Sequence, residues 1–267
     1  MDETKSFEKL KEVVFDKFGL DLNQYKENYL KRRLAVRMRS LQMNSYEEYL
    51  KYLISKDEEF NLLLDKLTIN VTQFFRDPEA FEEIEKNILP DIIRNNSRLK
   101  IWSAGCSTGE EAYSIAIMLE EISENLGILN YKYDIIGTDI DENALYKAKS
   151  GYYEGRTLDN LSNERKKKYF DFNGKHYIIK ENIKKKVEFL KFNLMEPFKP
   201  DYFNIIFCRN VIIYFTRELQ NKVIGYFYDS LKKNGIFVMG KTETMLISFK
   251  NKFECLNIKE RIFLKRE

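Results

Sequence analysis

Histidine and cysteine are scarce in this chain, and their scarcity excludes several kinds of active site. The 267-residue sequence has one histidine, His176, and three cysteines, Cys106, Cys208 and Cys255, which lie far apart. A zinc hydrolase needs clustered histidine or cysteine ligands, and a serine hydrolase of the triad type needs a histidine base. The cysteine positions match no metal-binding spacing, so we expect no bound metal and reduced thiols.

The chain also lacks a long hydrophobic run and an excess of one charge. No apolar stretch approaches the ~18 residues of a membrane-spanning helix and no signal peptide is visible, so we expect a cytoplasmic protein without direct membrane insertion. Lysine and arginine number 45 against 42 aspartates and glutamates, and this balance does not indicate a nucleic-acid partner. The composition, 43% hydrophobic and 33% charged, is that of a globular protein, which we expect to be a monomer.

Residues 1–90 are predicted to form an all-helical domain with a linker at its end. Apolar residues recur at spacings of three and four, as in Phe7, Leu10 and Val14, and Ser45 with Glu48 forms a capping box. A second predicted helix, about residues 22–41, carries several basic side chains beside its apolar side. These are Lys31, Arg32, Arg33, Arg37 and Arg39.

The segment between the fourth and fifth predicted helices is a candidate ligand-binding loop. Residues 68–76 read TINVTQFFR, which is too β-branched and polar for a good helix. The segment lies where the helical domain meets the following α/β domain, and ligand clefts often form at such a place. The alternative is an ordinary interdomain loop that packs through Phe74 and Phe75.

Residues 100–117, KIWSAGCSTGEEAYSIAI, predict a strand, a glycine loop and a helix. Gly105 and Gly109 allow a sharp turn and a close approach of backbone to a ligand. The spacing is not that of a dinucleotide fingerprint, and no lysine follows Gly109, which argues against a P-loop. Glu110 and Glu111 would repel a pyrophosphate, which favours a nucleoside ligand with a cationic or hydroxyl-bearing portion. A plain tight turn is the alternative interpretation.

Strands and helices alternate from Lys100 onward, which predicts a Rossmann-like α/β sheet over residues 91–267. We expect the sheet to be mostly parallel, with an antiparallel last strand and a small antiparallel β insertion at about 151–186. Loops after successive parallel strands emerge at one edge of a sheet, and an acidic residue after the second strand typically accepts ribose hydroxyls. The residues expected at this edge are Gly105, Glu111, Asp139, Asn193, Asn210 and Tyr214.

This set of side chains suits binding and positioning better than nucleophilic catalysis. Methyl transfer from S-adenosylmethionine is such a reaction, because the donor is already activated. A carboxylate acceptor needs no general base, since glutamate is ionised at neutral pH, whereas a hydroxyl or amine acceptor more often does. The inventory therefore favours a carboxylate acceptor.

Five sequence segments resemble the chemotaxis receptor methyltransferase family, of the CheR type. They are TINVTQFFRD (68–77), IWSAGCSTGEEAYS (101–114), GTDID (137–141), FNL (192–194) and FCRNVIIYF (207–215). They span most of the chain in the family's order. The resemblance implies a class I methyltransferase sheet and transfer of a methyl group to glutamate side chains of a chemoreceptor's cytoplasmic helices, with S-adenosylhomocysteine released.

The resemblance also implies roles for individual residues. Arg76 and Tyr214 match positions near the transferred methyl group, where Arg76 would orient the incoming carboxylate and Tyr214 would help to fix it. The cofactor would be bound by ten residues. They are Asn70, Thr72, Arg76, Gly105, Glu111, Asp139, Asn193, Leu194, Arg209 and Asn210.

The basic second helix and the β insertion also acquire expected roles from the resemblance. Receptor methylation helices are acidic, so Arg32, Arg33, Arg37 and Arg39 are expected to dock them electrostatically; a solvated helix face is the alternative. Some family members use the β insertion to tether a receptor's C-terminal peptide. The hairpin tip here, FDFNGKHY, is short, and we expect no such tether.

Three other functions are compatible with parts of the sequence. A methyltransferase acting on RNA or a small molecule would share the fold, but the near-neutral net charge argues against RNA. A non-catalytic module that binds S-adenosylmethionine is disfavoured by the presence of both Arg76 and Tyr214. A nicotinamide oxidoreductase is the most distant alternative, because Glu110 and Glu111 would face the pyrophosphate.

Overall fold

The computed structural model describes residues 2–68 and 70–266. Ile69, within the 68–77 motif, lies outside the described residues. The chain divides into two compact units, which are described separately. The first unit comprises residues 1–70 and 214–220, and the second comprises residues 71–213 and 221–267.

The first unit is built on four helices, as the apolar periodicity predicts. They are α1 (Glu3–Phe18), α2 (Glu27–Ser40), α3 (Tyr46–Ser55) and α4 (Asp57–Leu67). The hydroxyl of Ser45 accepts a hydrogen bond from the backbone N–H of Glu48, which starts α3. Gly19, with φ 67°, ends α1 in the left-handed conformation that glycine adopts at little cost. The predicted second helix begins later than expected, because residues 22–24 form a separate 3₁₀ turn.

Residues 214–220 add to this unit through backbone hydrogen bonds and apolar contacts. The N–H of Lys26 donates to the carbonyl oxygen of Tyr214 at 2.9 Å, and the N–H of Thr216 donates to that of Gln24 at 2.8 Å. The ring of Phe215, which is 4% exposed, packs edge-on against Tyr25 at 5.1 Å. The sequence predicts this segment as part of the α/β domain, since pairings over so long a separation leave no local signal.

The second unit contains a seven-stranded sheet that is mostly parallel with antiparallel pairing at one edge. The strands of this sheet are β1 (Arg98–Ala104), β2 (Lys132–Asp139), β6 (Val187–Lys191), β7 (Phe203–Cys208), β8 (Leu231–Met239), β9 (Phe253–Asn257) and β10 (Ile262–Lys265). The strand order is β6-β2-β1-β7-β8-β10-β9, and β10 runs antiparallel to both of its neighbours. This arrangement confirms the predicted fold class.

The predicted β insertion is a small three-stranded antiparallel sheet. Its strands are β3 (Tyr152–Tyr153), β4 (Phe170–Phe172) and β5 (Tyr177–Ile179), in the order β3-β5-β4. Gly174 turns between β4 and β5 with φ 90°, which agrees with the hairpin expected there. A short helix, α9 (Asn163–Tyr169), precedes β4.

The remaining helices of the second unit include one with an irregular turn. α5 (Pro78–Glu83) continues through a π-helical turn, Ile84–Ile88, into α6 (Leu89–Asn95). Pro90 has no N–H to donate to the preceding turn, and this loss accounts for the irregularity. Residues 71–90 belong to the second unit here, whereas the sequence predicts them as part of the helical domain. The other helices of this unit are α7 (Glu110–Asn125), α8 (Glu142–Ser150) and α10 (Glu181–Lys184). A last helix, α11 (Arg217–Ser230), begins in residues of the first unit and ends in residues of the second.

The core of the second unit is aromatic around β1. Trp102 is 1% exposed, and its indole N–H donates to the hydroxyl of Thr138 at 2.8 Å. Its ring contacts four phenylalanines, of which Phe203 and Phe227 are themselves buried. Among the described residues, no helix is long and apolar enough to cross a membrane.

Candidate functional site

The loop after β1 contains two glycines that lie close against side-chain atoms of other segments. Gly105 has φ 77°, and a Cβ added there would lie 2.5 Å from a methyl carbon of Val211. Gly109 has φ 93°, and its Cβ would lie 2.9 Å from that of Ala148. Both positions therefore require glycine for space as well as for backbone conformation. The loop turns tightly at the ligand-binding edge that is typical of such sheets.

Asp139 ends β2 with its carboxylate directed at this loop. Its two oxygens accept hydrogen bonds from the N–H of Ser107 at 2.8 Å and from the N–H of Asp141 at 3.0 Å. Burial raises the pKa of Asp139 to about 6, and the two N–H donors oppose that shift. At neutral pH the group is therefore an anion that can accept further hydrogen bonds, as from the vicinal hydroxyls of a ribose.

The two glutamates at the start of α7 have different surroundings. Glu110 is 2% exposed and accepts a hydrogen bond from the hydroxyl of Thr108 at 2.7 Å, and burial raises its pKa to about 7. Glu111 accepts from the hydroxyl of Ser103 at 2.7 Å and lies 3.5 Å from a guanidinium nitrogen of Arg209. Burial raises the pKa of Glu111, and the positive charge of Arg209 opposes that shift.

Arg209, which follows β7, joins Glu111 to the loop of residues 71–77. Its Nη2 donates to the carbonyl oxygen of Arg76 at 2.9 Å and to the carboxylate of Asp77 at 2.7 Å. The side chain of Arg209 is 2% exposed, so its charge is shielded from water and depends on these acceptors. The guanidinium carbon lies 5.4 Å from the ring centre of Phe81.

The 71–77 loop contains two residues in the left-handed backbone region. Phe75 has φ 50° and Asp77 has φ 54°, so both neighbours of Arg76 adopt a conformation that non-glycine residues rarely occupy. The side chain of Arg76 is half-buried and donates to the carbonyl oxygen of Val71 at 2.9 Å. Thr72 is also half-buried. The loop thus presents a cation on strained backbone, which is a common property of functional sites.

The segments after β6 and β7 bring amide side chains to the same edge of the sheet. The N–H of Phe192 donates to the carbonyl oxygen of Asp139 at 3.0 Å, so Asn193 and Leu194 follow directly beside the end of β2. Asn210 has φ 62°, and its Oδ1 is buried without a hydrogen-bond partner among residues 2–68 and 70–266. A buried acceptor without a partner is costly, so a ligand donor at this position would lower the free energy.

Glu243 is a site residue that the sequence analysis missed. It is 2% exposed, and its carboxylate accepts hydrogen bonds from the N–H groups of Val211, Ile212 and Gly240 at 2.6–3.0 Å. Burial raises its pKa to about 7, against these donors. A Cβ on Gly240 would lie 2.7 Å from the backbone nitrogen of Asn210, so the two loops are in close contact. Only the folded structure joins these positions, which no local motif links.

Two predicted site residues, Asn70 and Tyr214, belong to the first unit. The side-chain amide of Asn70 lies 3.4 Å from the carboxylate of Asp65. The ring of Tyr214 stacks on Tyr29 with centroids 4.5 Å apart. The hydroxyl of Tyr29 donates to the carbonyl oxygen of Leu67 at 2.6 Å, and burial raises its pKa to about 12. Tyr214 is therefore held by its ring within this unit.

The basic residues of α2 do not share one environment. Arg32 and Arg39 are exposed, whereas Arg33 is half-buried with its guanidinium carbon 5.5 Å from the ring centre of Tyr29. Arg37 forms a two-pronged ion pair with Glu59, whose side chain is 1% exposed. The charge of Arg37 is largely matched inside the unit, so its first role is to hold α2 against α4.

Across the described residues, no group of three or more histidine, cysteine or acidic side chains could hold a metal ion. The three cysteines are unpaired, and Cys106 and Cys208 are buried.

In the second unit, the structure joins Arg76, Glu111 and Arg209 in one hydrogen-bonded network. Asp139 lies at the end of β2, which pairs with β1, and its carboxylate accepts a hydrogen bond from Ser107 in the glycine loop that follows β1.

Comparison with known protein families gives two matches that together cover nearly the whole chain. A family model named CheR methyltransferase, SAM binding domain, matches residues 70–262. A second model, CheR methyltransferase, all-alpha domain, matches residues 5–68.

Three similar proteins carry the name chemotaxis protein methyltransferase. One from Borreliella burgdorferi is 36% identical over 248 residues, covering 89% of this chain and 87% of that protein. One from Listeria innocua is 35% identical over 239 residues, covering 88% of each. One from Escherichia coli K12 is 32% identical over 246 residues, covering 89% of this chain and 83% of that protein.

The buried carboxyl group of Glu110 predicts a pH dependence of stability. Its pKa rises from 4.5 to about 7 on folding, so between these values the folded state binds a proton that the unfolded state has lost. The free energy of unfolding should therefore fall as pH rises from about 5 to about 7, by at most about 1.4 kcal/mol per pH unit for one group. Glu110→Gln should make this slope shallower, as measured by urea unfolding. Asp139 and Glu243 contribute with the same sign, so some slope should remain.

The matched control is Glu188→Gln, which changes an exposed glutamate on β6. If Glu110→Gln and Glu188→Gln altered the slope equally, burial of Glu110 would not be its cause.

Proposed function

The chain belongs to the CheR methyltransferase family, and from that premise we propose that it methylates glutamate side chains of a chemoreceptor's cytoplasmic helices. The observation that carries this proposal is the network around Arg76. An arginine held on constrained backbone stands beside a ligand-binding sheet edge, within a set of groups that bind and orient rather than attack. Such a set suits an acceptor that is already ionised, as a glutamate is at neutral pH.

The residues present fit S-adenosylmethionine as the methyl donor. Gly105 leaves space where a Cβ would collide, Asp139 offers a carboxylate for ribose hydroxyls, and the Oδ1 of Asn210 lacks a partner among the described residues. We propose that the cofactor is bound by these three and by the other residues assigned from the family resemblance. Those others are Asn70, Thr72, Arg76, Glu111, Asn193, Leu194 and Arg209.

When bound, the cofactor supplies a methyl group on a cationic sulfur, whose transfer to a carboxylate oxygen yields a methyl ester and S-adenosylhomocysteine. The protein's task is then to place the acceptor and exclude water. The guanidinium of Arg76 orients the acceptor carboxylate by charge-assisted hydrogen bonds. No proton has to be removed from an ionised glutamate, so a general base has no role in this step. Tyr214 remains a proposed contact of the acceptor, on the family resemblance.

The acceptor is proposed to dock on the basic face of α2. Receptor methylation helices are acidic, and the side chains of Arg32 and Arg39 on α2 are exposed and positively charged. Arg33, half-buried beside the ring of Tyr29, remains a proposed part of this surface on the family resemblance. Arg37 supports the same surface through its pair with Glu59.

A labelled-methyl transfer assay tests the acceptor class. The protein is mixed with methyl-labelled S-adenosylmethionine and a receptor cytoplasmic fragment, and the product is treated with mild alkali. We expect volatile labelled methanol, because carboxyl methyl esters hydrolyse under these conditions. Label that is stable to alkali would contradict glutamate methylation and point to an amine or ether product, such as one on RNA or a small molecule. Heat-denatured protein is the control.

Replacing Arg76 tests its orienting role. Arg76→Ala should lower kcat about 10- to 100-fold at saturating cofactor, since a hydrogen bond to a charged group is worth about 1.5–3 kcal/mol. Tyr214→Phe keeps the stacking on Tyr29 and should lower kcat less, by about tenfold at most. Cofactor affinity is measured in parallel by calorimetry. Unchanged turnover of Arg76→Ala at saturating cofactor would show that the orienting role is wrong.

Charge reversal on α2 tests the docking surface. The double variant Arg32→Glu with Arg39→Glu should have a KM for the receptor fragment about tenfold or more above that of the wild type at low salt. Added salt should bring the two KM values closer together, because it screens the charges. The cofactor Kd should stay the same. Lys51→Glu, which reverses an exposed charge on α3, is the matched control. Docking through α2 would be refuted if both variants had the same KM.

A further inference from the structure

The inserted segment between α8 and β6 contacts the 71–77 loop through backbone hydrogen bonds. The N–H of Phe74 donates to the carbonyl oxygen of Thr157 at 2.9 Å. The side-chain amide of Asn160 donates to the carbonyl oxygens of Phe74 and Phe75 at 3.3 and 3.4 Å. The insertion therefore supports the backbone that immediately precedes Arg76.

Arg165, on α9 of the same insertion, packs over Phe75, one of the two residues of this loop with positive φ. Its guanidinium carbon lies 4.4 Å from the ring centre of Phe75. A guanidinium stacked on an aromatic face is attracted by the ring's negative surface. The side chain of Phe75 is thereby held between Arg165 and the ring of Phe81, whose centroid is 5.0 Å away.

Arg165 is itself fixed by two carboxylates from different helices. Its Nε and Nη2 donate to Glu121 of α7 at 3.0 and 2.6 Å, and Nη2 also donates to Glu85 at 3.2 Å. Glu85 lies in the π-helical turn after α5. The three side chains are each less than one-third exposed, so these ion pairs are only partly screened by solvent.

The backbone of the loop needs this support. Positive φ angles at Phe75 and Asp77 are unfavourable for residues other than glycine and persist only where the surroundings enforce them. On one side, Arg209 holds the carbonyl oxygen of Arg76 and the carboxylate of Asp77. On the other side, the hydroxyl of Ser114 accepts from the N–H of Phe75 at 2.9 Å, and Arg165 covers its ring.

We propose that Arg165 is a positioning residue for Arg76, so that the insertion contributes to methyl transfer by fixing the 71–77 loop. This inference rests on the proposed function, because it takes from there the orienting role of Arg76. It gives the insertion a role that does not require a tethered receptor peptide. Lysine cannot replace Arg165 fully, since it lacks the planar fork that stacks on a ring while pairing with two carboxylates.

The test compares Arg165→Gln with Lys167→Gln, a matched control that removes an exposed positive charge from the same helix. Hydrogen exchange of the peptide containing residues 71–77 is measured first, because it needs no enzymatic activity. We expect faster exchange at the amide of Phe75 in Arg165→Gln and no change in the control. Equal exchange rates in the wild type and Arg165→Gln would overturn the proposal, whatever the protein methylates.

Kinetics then distinguish positioning from simple stabilisation. Arg165→Gln should lower kcat about tenfold when cofactor and receptor fragment are both saturating, and the cofactor Kd is measured in parallel to set the saturating concentration. In an Arg76→Ala background the same change should have little further effect on kcat, since the group being positioned is gone. Faster exchange with unchanged kcat, or a full additional loss in the Arg76→Ala background, would refute the positioning role. A wild type without any transfer activity would refute the proposed function, and hydrogen exchange would still decide whether Arg165 holds the loop.

Arg165→Lys covers the case in which the glutamine variant does not fold. It keeps a positive charge between Glu85 and Glu121 but loses the planar stacking on Phe75. We expect exchange and kcat between those of the wild type and Arg165→Gln. Wild-type values for both quantities would show that stacking on Phe75 does not position the loop.

Discussion

The second unit depends on one buried cation, the guanidinium of Arg209. With its side chain 2% exposed, this group has lost its hydration and must be satisfied by protein acceptors. The acceptors it finds are Glu111, at the start of α7, and Asp77 with the carbonyl oxygen of Arg76. The end of β7, the first helix after the glycine loop and the 71–77 loop are therefore fixed by a single side chain. Each glutamate and aspartate here stabilises an element as well as lining the ligand-binding edge.

Three further buried carboxyl groups, those of Glu110, Asp139 and Glu243, have different roles in the loops of the second unit. Glu243 gathers three backbone N–H groups and thereby sets the loop that carries Asn210. Asp139 accepts from the glycine loop, and Glu110 is enclosed at the first turn of α7. Burial raises the pKa of all three carboxyl groups, so ionising them in the folded protein costs free energy. That cost is tolerable because each group fixes a loop at the edge where ligands bind such sheets.

The sequence predicted the fold well because strand ends, glycines and apolar periodicity are local signals. Residues 100–117 predict a strand, a glycine loop and a helix, and the structure has β1, the loop with Gly105 and Gly109, and the start of α7 over these residues. Glu243, Arg165 and the segment 214–220 were missed in their present roles, because their partners lie far away in sequence. An ion pair such as Arg37 with Glu59 is equally invisible, as either residue alone reads as solvated surface. Only packing decides which charges are internal.

The aromatic core around β1 gives this protein a built-in spectroscopic reporter. Trp102 is the single tryptophan of the chain, and its indole N–H is bonded to Thr138, the residue before Asp139. Gly105, where the glycine loop turns, follows Trp102 by three residues. Intrinsic fluorescence excited at the tryptophan band therefore arises from the sheet of the second unit alone, without contribution from another indole. Its emission follows events at the ends of β1 and β2 separately from those in the helical unit, with no label attached.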